Sequence, residues 1–155
     1  MIYLKIELDD ARAISALDEL IKRADNLTPL MRNLAGIMHD AVEENFAQEG
    51  RPPWAPLSPV TLARRRAGGA KILQDTGGLA VSVEPSYDAD SATVSTNKIY
   101  GPTQQFGARK GQFGKTKRGA PIPWGDIPPR PFFALGDDSM QDINDAIADY
   151  FSPAL

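Results

Sequence analysis

The sequence contains no cysteine and only one histidine, His39, among 155 residues. Without cysteine there is no disulfide framework and no thiolate metal site, and a single histidine excludes a multi-histidine zinc site within the chain. No apolar run approaches the roughly 20 residues that a membrane-spanning helix needs. The first residues also lack the basic start and the continuous apolar stretch of a signal peptide. We therefore expect a protein that is made in the cytosol and has no membrane partner.

Acidic residues are missing from one long segment. From Ser91 to Gly125 there is no Asp or Glu, whereas six basic residues lie there: Lys98, Arg109, Lys110, Lys115, Lys117 and Arg118. Because the formal net charge of the whole chain is -3, the remaining residues carry a net charge of -9. Such asymmetry indicates complementary surfaces that meet between copies or partners, or a patch that binds nucleic acid.

The length of the chain and its 42% hydrophobic residues predict a single domain, residues 1–155. The predicted elements, in chain order, are a strand at 2–8, helices at 10–26, 28–46 and 58–66, a strand that starts at Val81 and is stopped by Pro85, its partner at 92–96, a turn or short helix at 99–107, and a last helix after Gly136. This order predicts an α+β fold. A small antiparallel sheet would pack with the two longer N-terminal helices and the C-terminal helix, joined by long Pro/Gly-rich loops.

Helical spacing also predicts which faces are buried. The apolar positions that recur every three or four residues are Ile14, Leu17, Ile21 and Ala24, widened by Leu20, in the first helix, Leu30, Leu34, Ile37, Met38, Ala41 and Val42 in the second, and Met140, Ile143, Ile147 and Phe151 in the last. We expect each of these sets to face the core.

The whole chain is organised around residues 127–136, Ile-Pro-Pro-Arg-Pro-Phe-Phe-Ala-Leu-Gly. Its three prolines fix φ and lack backbone donors, so the stretch must be extended and cannot be a central strand. Successive side chains of an extended chain point opposite ways, so one of Phe132 and Phe133 should enter the core and the other should meet a neighbouring element or subunit. We expect Arg130, held by this stiff segment close to the acidic last helix, to form a specific ion pair.

Residues 108–125 consist mainly of Gly, Lys, Arg, Thr and Pro, which predicts a mobile basic loop that is ordered only on assembly. Its lysines and arginines lie on both sides of Phe113, and Trp124 follows them. The basic side chains could hold phosphates, and the two aromatic rings could stack on bases. The alternative is a solvated loop that contacts acidic surfaces of neighbouring copies.

No set of residues in the sequence indicates catalysis. Gly114-Lys115-Thr116 is similar to the end of a phosphate-binding P-loop, but Arg109 occupies the position of the required first glycine. His39 and Glu43 share a helix at a spacing that can hold a metal or form an acid/base pair, yet a solvated surface pair explains them more simply. The sequence therefore predicts no catalytic residue, no metal ligand and no cofactor.

The order of several short motifs resembles the phage virion morphogenesis family, the tail-completion proteins of tailed phages and Mu-like prophages. The matching residues are Gly50 to Pro59 followed by Thr61, Ile72-Leu73 with Thr76-Gly77 and Leu79, Thr96-Asn97 before Tyr100, Gln105-Phe106-Gly107, and Ile127 to Phe132. The chain departs from the family pattern at Gln104, where the family usually has histidine, and at Gly101-Pro102, where small helix-forming residues are common.

The resemblance implies a structural, non-enzymatic virion component. It would be made in the host cytoplasm and would act in the virion where the tail meets the head, as a homo-oligomeric ring that contacts tail tube, tail terminator or neck proteins. The residues expected to make interactions are Trp54, Tyr100, Phe106, Arg109, Lys110, Lys115, Lys117, Arg118, Trp124, Arg130, Phe132 and Phe133. Two alternatives stay open: a nucleic-acid-binding module that uses the basic loop, and an assembly factor on the capsid side of the same pathway.

Overall fold

The computed structural model of the chain describes residues 10–65 and 71–152. Within these residues lie five helices and one antiparallel pair of strands, which confirms the predicted α+β fold. The helices are α1 (Ala11–Ala24), α2 (Thr28–Ala47), α3 (Pro59–Ala63), α4 (Gly101–Phe106) and α5 (Asp137–Phe151), and the strands are β1 (Val83–Tyr87) and β2 (Ala92–Thr96). The strand predicted at 2–8 lies outside the described residues.

Helix α2 is the central element of the fold, because both strands and α5 pack against it. Proline is tolerated in its first turn, where the backbone N–H has no intrahelical partner in any case. Its buried residues are Leu30, Ala35, Ala41, Val42, Asn45 and Phe46. Three of the six residues predicted for this face, Leu30, Ala41 and Val42, are buried, whereas Leu34, Ile37 and Met38 are only partly buried. The buried face also extends to the C-terminal turn and to one polar residue, Asn45.

Strands β1 and β2 form a hairpin in which Val83 lies opposite Thr96 and Tyr87 lies opposite Ala92. We predicted that Pro85 would stop the first strand, and this is wrong: Pro85 lies inside β1, opposite Val94. Proline is tolerated in an edge strand, and within the described residues this sheet has two strands, each with a free edge. Val81, predicted to start the strand, belongs instead to a 3-10 turn, Ala80–Ser82, with its side chain exposed.

The turn of this hairpin is held by one carboxylate. The backbone N–H groups of Asp90 and Ser91 donate to Asp88 Oδ1, and the Ser91 hydroxyl donates to Asp88 Oδ2. These bonds, led by the one from the Asp90 backbone, lower the pKa of Asp88. The ionised side chain therefore closes the turn that pairs the two strands.

The core forms where three parts of the chain meet: α2, the β1–β2 hairpin, and the two proline-rich segments, residues 50–59 and 127–136. Its buried members are Val42, Phe46, Trp54, Ile72, Leu79, Val83 and Phe132. Phe46 lies at the centre of the aromatic contacts, with its ring centroid 5.8 Å from that of Trp54 and 5.5 Å from that of Phe132. Phe132 is 0% exposed, and the partly buried Phe133 packs beside it at 4.5 Å. The prediction that one phenylalanine of the pair enters the core is confirmed.

The apolar faces of the first and last helices are not buried as predicted. Ile14, Leu17 and Ile21 of α1 are each more than half exposed, and α1 has no buried residue. Helix α5 packs against α2, and its buried residue is the small Ser139, whereas Met140 and Ile147 are exposed. Apolar spacing alone therefore indicated these helices, but not the side on which each one packs.

Candidate interaction surfaces

Two proline-rich segments are joined by side-chain donors, because prolines supply no backbone N–H. Trp54 Nε1 donates to the carbonyl of Pro131 at 3.1 Å. Arg130 Nε donates to the carbonyl of Ala55 at 3.1 Å, and Arg130 Nη2 donates to that of Pro56 at 3.2 Å. The two segments are thereby fixed against each other, with Trp54 and Arg130 both buried.

The expected ion pair between Arg130 and the acidic last helix is not what the structure shows. The guanidinium of Arg130 is turned towards backbone carbonyls, and its burial lowers the pKa of Arg130. The ion pair with α5 is made by Arg51, whose Nη1 contacts Asp138 Oδ2 and also lies 2.8 Å from Glu44 Oε2. Gly50, directly before Arg51, is at φ +99° and lies under the Trp54 ring, where a Cβ would be 2.4 Å from Cδ1.

Two side-chain amides, the buried Asn45 and the half-buried Gln105, hold the aromatic pair, and sequence reasoning missed the role of both. Asn45, 1% exposed, donates through Nδ2 to the carbonyls of Phe132 at 3.0 Å and Ala134 at 2.8 Å. Gln105 Oε1 accepts the backbone N–H groups of Phe132 and Phe133, both at 3.0 Å. Asn45 falls four positions after Ala41 on the buried face of α2, which is the one signal in the sequence that could have indicated it.

Replacing Asp138 with asparagine should destabilise the protein more at pH 7 than at pH 3. The Ser139 backbone N–H, helped by Arg51, lowers the pKa of Asp138 below its ordinary value of 3.8, although burial acts in the opposite direction. A depressed pKa in the folded state means that this stabilisation is present above the ordinary pKa and is lost as the pH falls through the folded value. Urea unfolding of both proteins at the two pH values measures the difference. Asp149→Asn, in the same helix, is the control and should not destabilise at pH 7, so equal losses for the two variants would contradict the assignment.

Residues 108–127 form a hairpin, which we call the basic hairpin. Ala108 and Ile127 exchange backbone hydrogen bonds of 2.9 and 2.7 Å at its base, and Phe113 donates to Ile122 at 2.8 Å. Gly107 is required at the base, because a Cβ there would lie 2.5 Å from the Ile127 carbonyl oxygen at φ +73°. These backbone hydrogen bonds define the path of the segment. Its mobility stays a prediction.

The cations of the basic hairpin are displayed to solvent. Its charged side chains, all exposed, are Arg109, Lys110, Lys115, Lys117 and Arg118. Asp126 is the acidic residue of this segment, and it accepts the backbone N–H of Lys110 at 2.7 Å. No carboxylate among residues 10–65 and 71–152 forms an ion pair with these five side chains. This surface is therefore available to an anionic partner.

The aromatic candidates divide into buried and exposed groups. Trp54 and Phe132 are part of the core, so they shape the body of the protein. Phe106 is 77% exposed and Trp124 is 65% exposed, and Tyr100 is also exposed. The Arg64 guanidinium lies over the Trp124 ring, 5.6 Å from its centroid, and holds that side chain at the surface. The exposed members are the ones that can meet a partner.

A groove of about 980 Å³ runs between α3 and the second proline-rich segment. Residues with polar side chains on its wall include Ser58, Thr61, Arg64, Asp75 and Asp126, and no histidine lines it. The lone histidine lies elsewhere, on α2, where ligand atoms of His39, Asp40 and Glu43 come within 4.8 Å of one another. Acidic groups at a surface commonly bind no ion, and we assign no metal to this cluster.

None of the helices in the described part of the chain combines the length and the apolar character needed to cross a membrane.

Comparison with known proteins gives one family and two relatives. Residues 8–152 match the model of the phage virion morphogenesis family. The chain is 38% identical over 149 residues to Mu-like prophage FluMu G protein 2 of Haemophilus influenzae, with 96% of each chain covered. It is 32% identical over 160 residues to the putative capsid assembly protein G of Escherichia phage Mu, with 98% of this chain and 96% of that protein covered. No solved structure matches the chain.

Proposed function

This chain belongs to the phage virion morphogenesis family, and we propose that, within virion assembly, it completes the tail at the end that joins the head. The observation that carries the proposal is the family match, which covers residues 8–152 and so includes both the core and the basic hairpin. The alignment covers 96% of each relative, so the comparison concerns nearly the whole of both proteins.

The geometry supports a building block that acts by binding other virion proteins. A body tied together by Trp54, Arg130, Asn45 and Gln105 carries exposed aromatic and basic side chains on its surface. We include in the proposal that the protein performs no turnover and assembles in the host cytoplasm before it is retained in the virion. Its partners are other copies and the tail tube, tail terminator or neck proteins. A closed ring needs two different faces on each copy, which the basic hairpin and the acidic α5 can supply.

Removal of the gene from its phage or prophage tests this function directly. We expect heads and tails to accumulate unjoined in electron micrographs, and infectious particles to disappear. The wild-type gene supplied in trans should restore both, and a stop codon placed early in the same gene is the matched control for effects on neighbouring genes. Normal joined particles without the protein would contradict the proposal.

An assembly role on the capsid side is the second candidate. It is favoured by the name of the relative from Escherichia phage Mu, a putative capsid assembly protein. The same deletion separates the two functions, because loss of a capsid factor leaves normal tails with absent or misshapen heads. A nucleic-acid-binding module is the third candidate, favoured by the exposed cations near Phe113 and Trp124. It would require the purified protein to retard DNA in a strongly salt-dependent manner.

A further inference from the structure

We infer that the tip of the basic hairpin of one copy docks on the acidic flank of α5 of the next copy. The hairpin tip is Lys115, Lys117 and Arg118, and the acidic flank is Asp142, Asp145 and Asp149. This inference rests on the proposed function, since it names the contact by which copies would assemble around the tail axis. Its partner is therefore a second copy of this chain.

The hairpin tip concentrates positive charge where the chain has no acid to balance it. Its three cations lie within four residues, beside the bridge that pairs Lys115 with Pro121. All three side chains are exposed, and none has an ion pair with a described residue. No acidic residue occurs between Ser91 and Gly125, so local carboxylates cannot neutralise the tip.

The acidic flank has the opposite imbalance. Asp142, Asp145 and Asp149 follow one another at spacings of three and four residues, which places them on one stripe of α5, and all three are exposed. Helix α5 contains five aspartates and no basic residue. Negative charge in the last turn, where Asp149 lies, is unfavourable because the C-terminal end of a helix is itself partially negative. An external cation would remove this repulsion.

No described residue forms an ion pair with Asp142, Asp145 or Asp149. Arg23 reaches this end of α5, but its Nη1 donates to the carbonyl of Tyr150 and its guanidinium lies 5.7 Å from the centre of the Tyr150 ring. Asp145 accepts a hydrogen bond from the neutral side chain of Gln141 at 2.8 Å. Within residues 10–65 and 71–152, the flank therefore stays anionic in a single copy, and a second copy carries the complementary group.

The two surfaces also agree in size. Three aspartates spread over seven helical steps span about 10 Å at 1.5 Å per residue. Four residues of an extended or turning chain span at most about 10 Å between their first and last Cα atoms. Because the two surfaces are different, each copy can give its tip to one neighbour and receive a tip from another, which is the heterologous contact that closes a ring.

An aromatic ring accompanies the charges of the tip. Exposed ion pairs alone contribute little and are screened by salt, so a stable contact needs additional burial. Phe113 lies close to the tip and is about half exposed. Covering this ring would add burial, while the charges would set the register and suppress wrong pairings.

Cysteine crosslinking tests the contact, because the natural chain contains no cysteine. A chain that carries both Lys117→Cys and Asp145→Cys should give a ladder of dimers, trimers and higher species when assembled particles are treated with a short bismaleimide. Each single variant is the control and should give no ladder. Dimers from Lys117→Cys alone would reveal a hairpin-to-hairpin contact and overturn the inference, as would the absence of a ladder from the double variant.

Charge exchange gives an independent readout. Lys115→Glu, Lys117→Glu and Arg118→Glu together, or Asp142→Lys, Asp145→Lys and Asp149→Lys together, should each abolish assembly in a complementation assay. All six changes in one chain should restore it. Reversal of three exposed cations elsewhere (Arg12, Arg32 and Lys71) controls for net charge and should leave assembly intact.

The outcomes separate this contact from the proposed function. Unfolding midpoints of the purified variants show whether a loss of assembly reflects unfolding. If gene removal blocks virion formation but the double cysteine variant gives no ladder, the docking contact is wrong and the function stands. If gene removal leaves normal joined particles, the function itself fails.

Discussion

Replacing Phe132 with alanine should destabilise the protein by about 3–5 kcal/mol, the usual cost of removing a buried phenylalanine ring. The side chain is fully buried, and its ring contacts Phe46 and Phe133 at centroid distances of 5.5 and 4.5 Å. The cavity cannot close easily, because the backbone of this segment is held by Asn45 and Gln105. An ordinary domain has a free energy of unfolding of about 5–15 kcal/mol, so a large part of the stability would be lost.

Urea unfolding followed by circular dichroism measures this loss as a fall in the unfolding midpoint. Phe113→Ala is the matched control, since the same ring is removed from a side chain that is about half exposed. That variant should stay within about 0.5 kcal/mol of the wild type. Similar midpoints for the two variants would contradict the placement of Phe132 at the centre of the core.

Replacing Asn45 with aspartate should cost about 2–4 kcal/mol at pH 7, although the two side chains have almost the same shape. The Nδ2 group that now donates to the carbonyls of Phe132 and Ala134 would become an oxygen facing two other oxygens. The bond that Asn45 Oδ1 accepts from Arg51 Nε at 3.2 Å would survive and reduce the loss only in part.

The control for this substitution is Asn33→Asp, made on an exposed position of the same helix. It should change the free energy of unfolding by no more than about 0.5 kcal/mol. The asparagine-to-aspartate change at 45 should also be less harmful at pH 4 than at pH 7, because a protonated carboxyl can again donate one hydrogen bond. A variant at 45 that is as stable as the control at both pH values would contradict the buried clamp.

Signals between residues close together in the sequence predicted the helices and strands. The side-chain partners could not be predicted, because they depend on residues far apart in the chain. Pro29 lies in the first turn of α2, and at the start of α3 Pro59 follows Ser58, whose side chain accepts the Thr61 backbone N–H. Both are local sequence signals for the start of a helix. The second strand, 92–96, was predicted with its observed bounds. Each of these features depends on residues within a few positions of one another, which is why the sequence alone was sufficient.

The errors concern partners distant in the sequence. The direction in which Arg130 points depends on carbonyls of Ala55 and Pro56, and the pairing of Arg51 with Asp138 crosses 87 positions. Nothing near Arg130 in the sequence distinguishes a carbonyl partner from a carboxylate. The exposed stripe of α1 was mispredicted for a related reason: an amphipathic pattern predicts that a helix has an apolar face, but not what covers it.

The bonds that hold the proline-rich segment also set an order of events during translation. Asn45 and Trp54 find their acceptors at residues 131–134, 77 to 89 positions later. A nascent chain that has left the ribosome only as far as Gly125 offers neither the acceptors nor the Phe132 ring. At this stage the apolar face of α2 is not yet covered by Phe132. We expect host chaperones that bind exposed apolar faces to hold the chain until its last fifth has emerged.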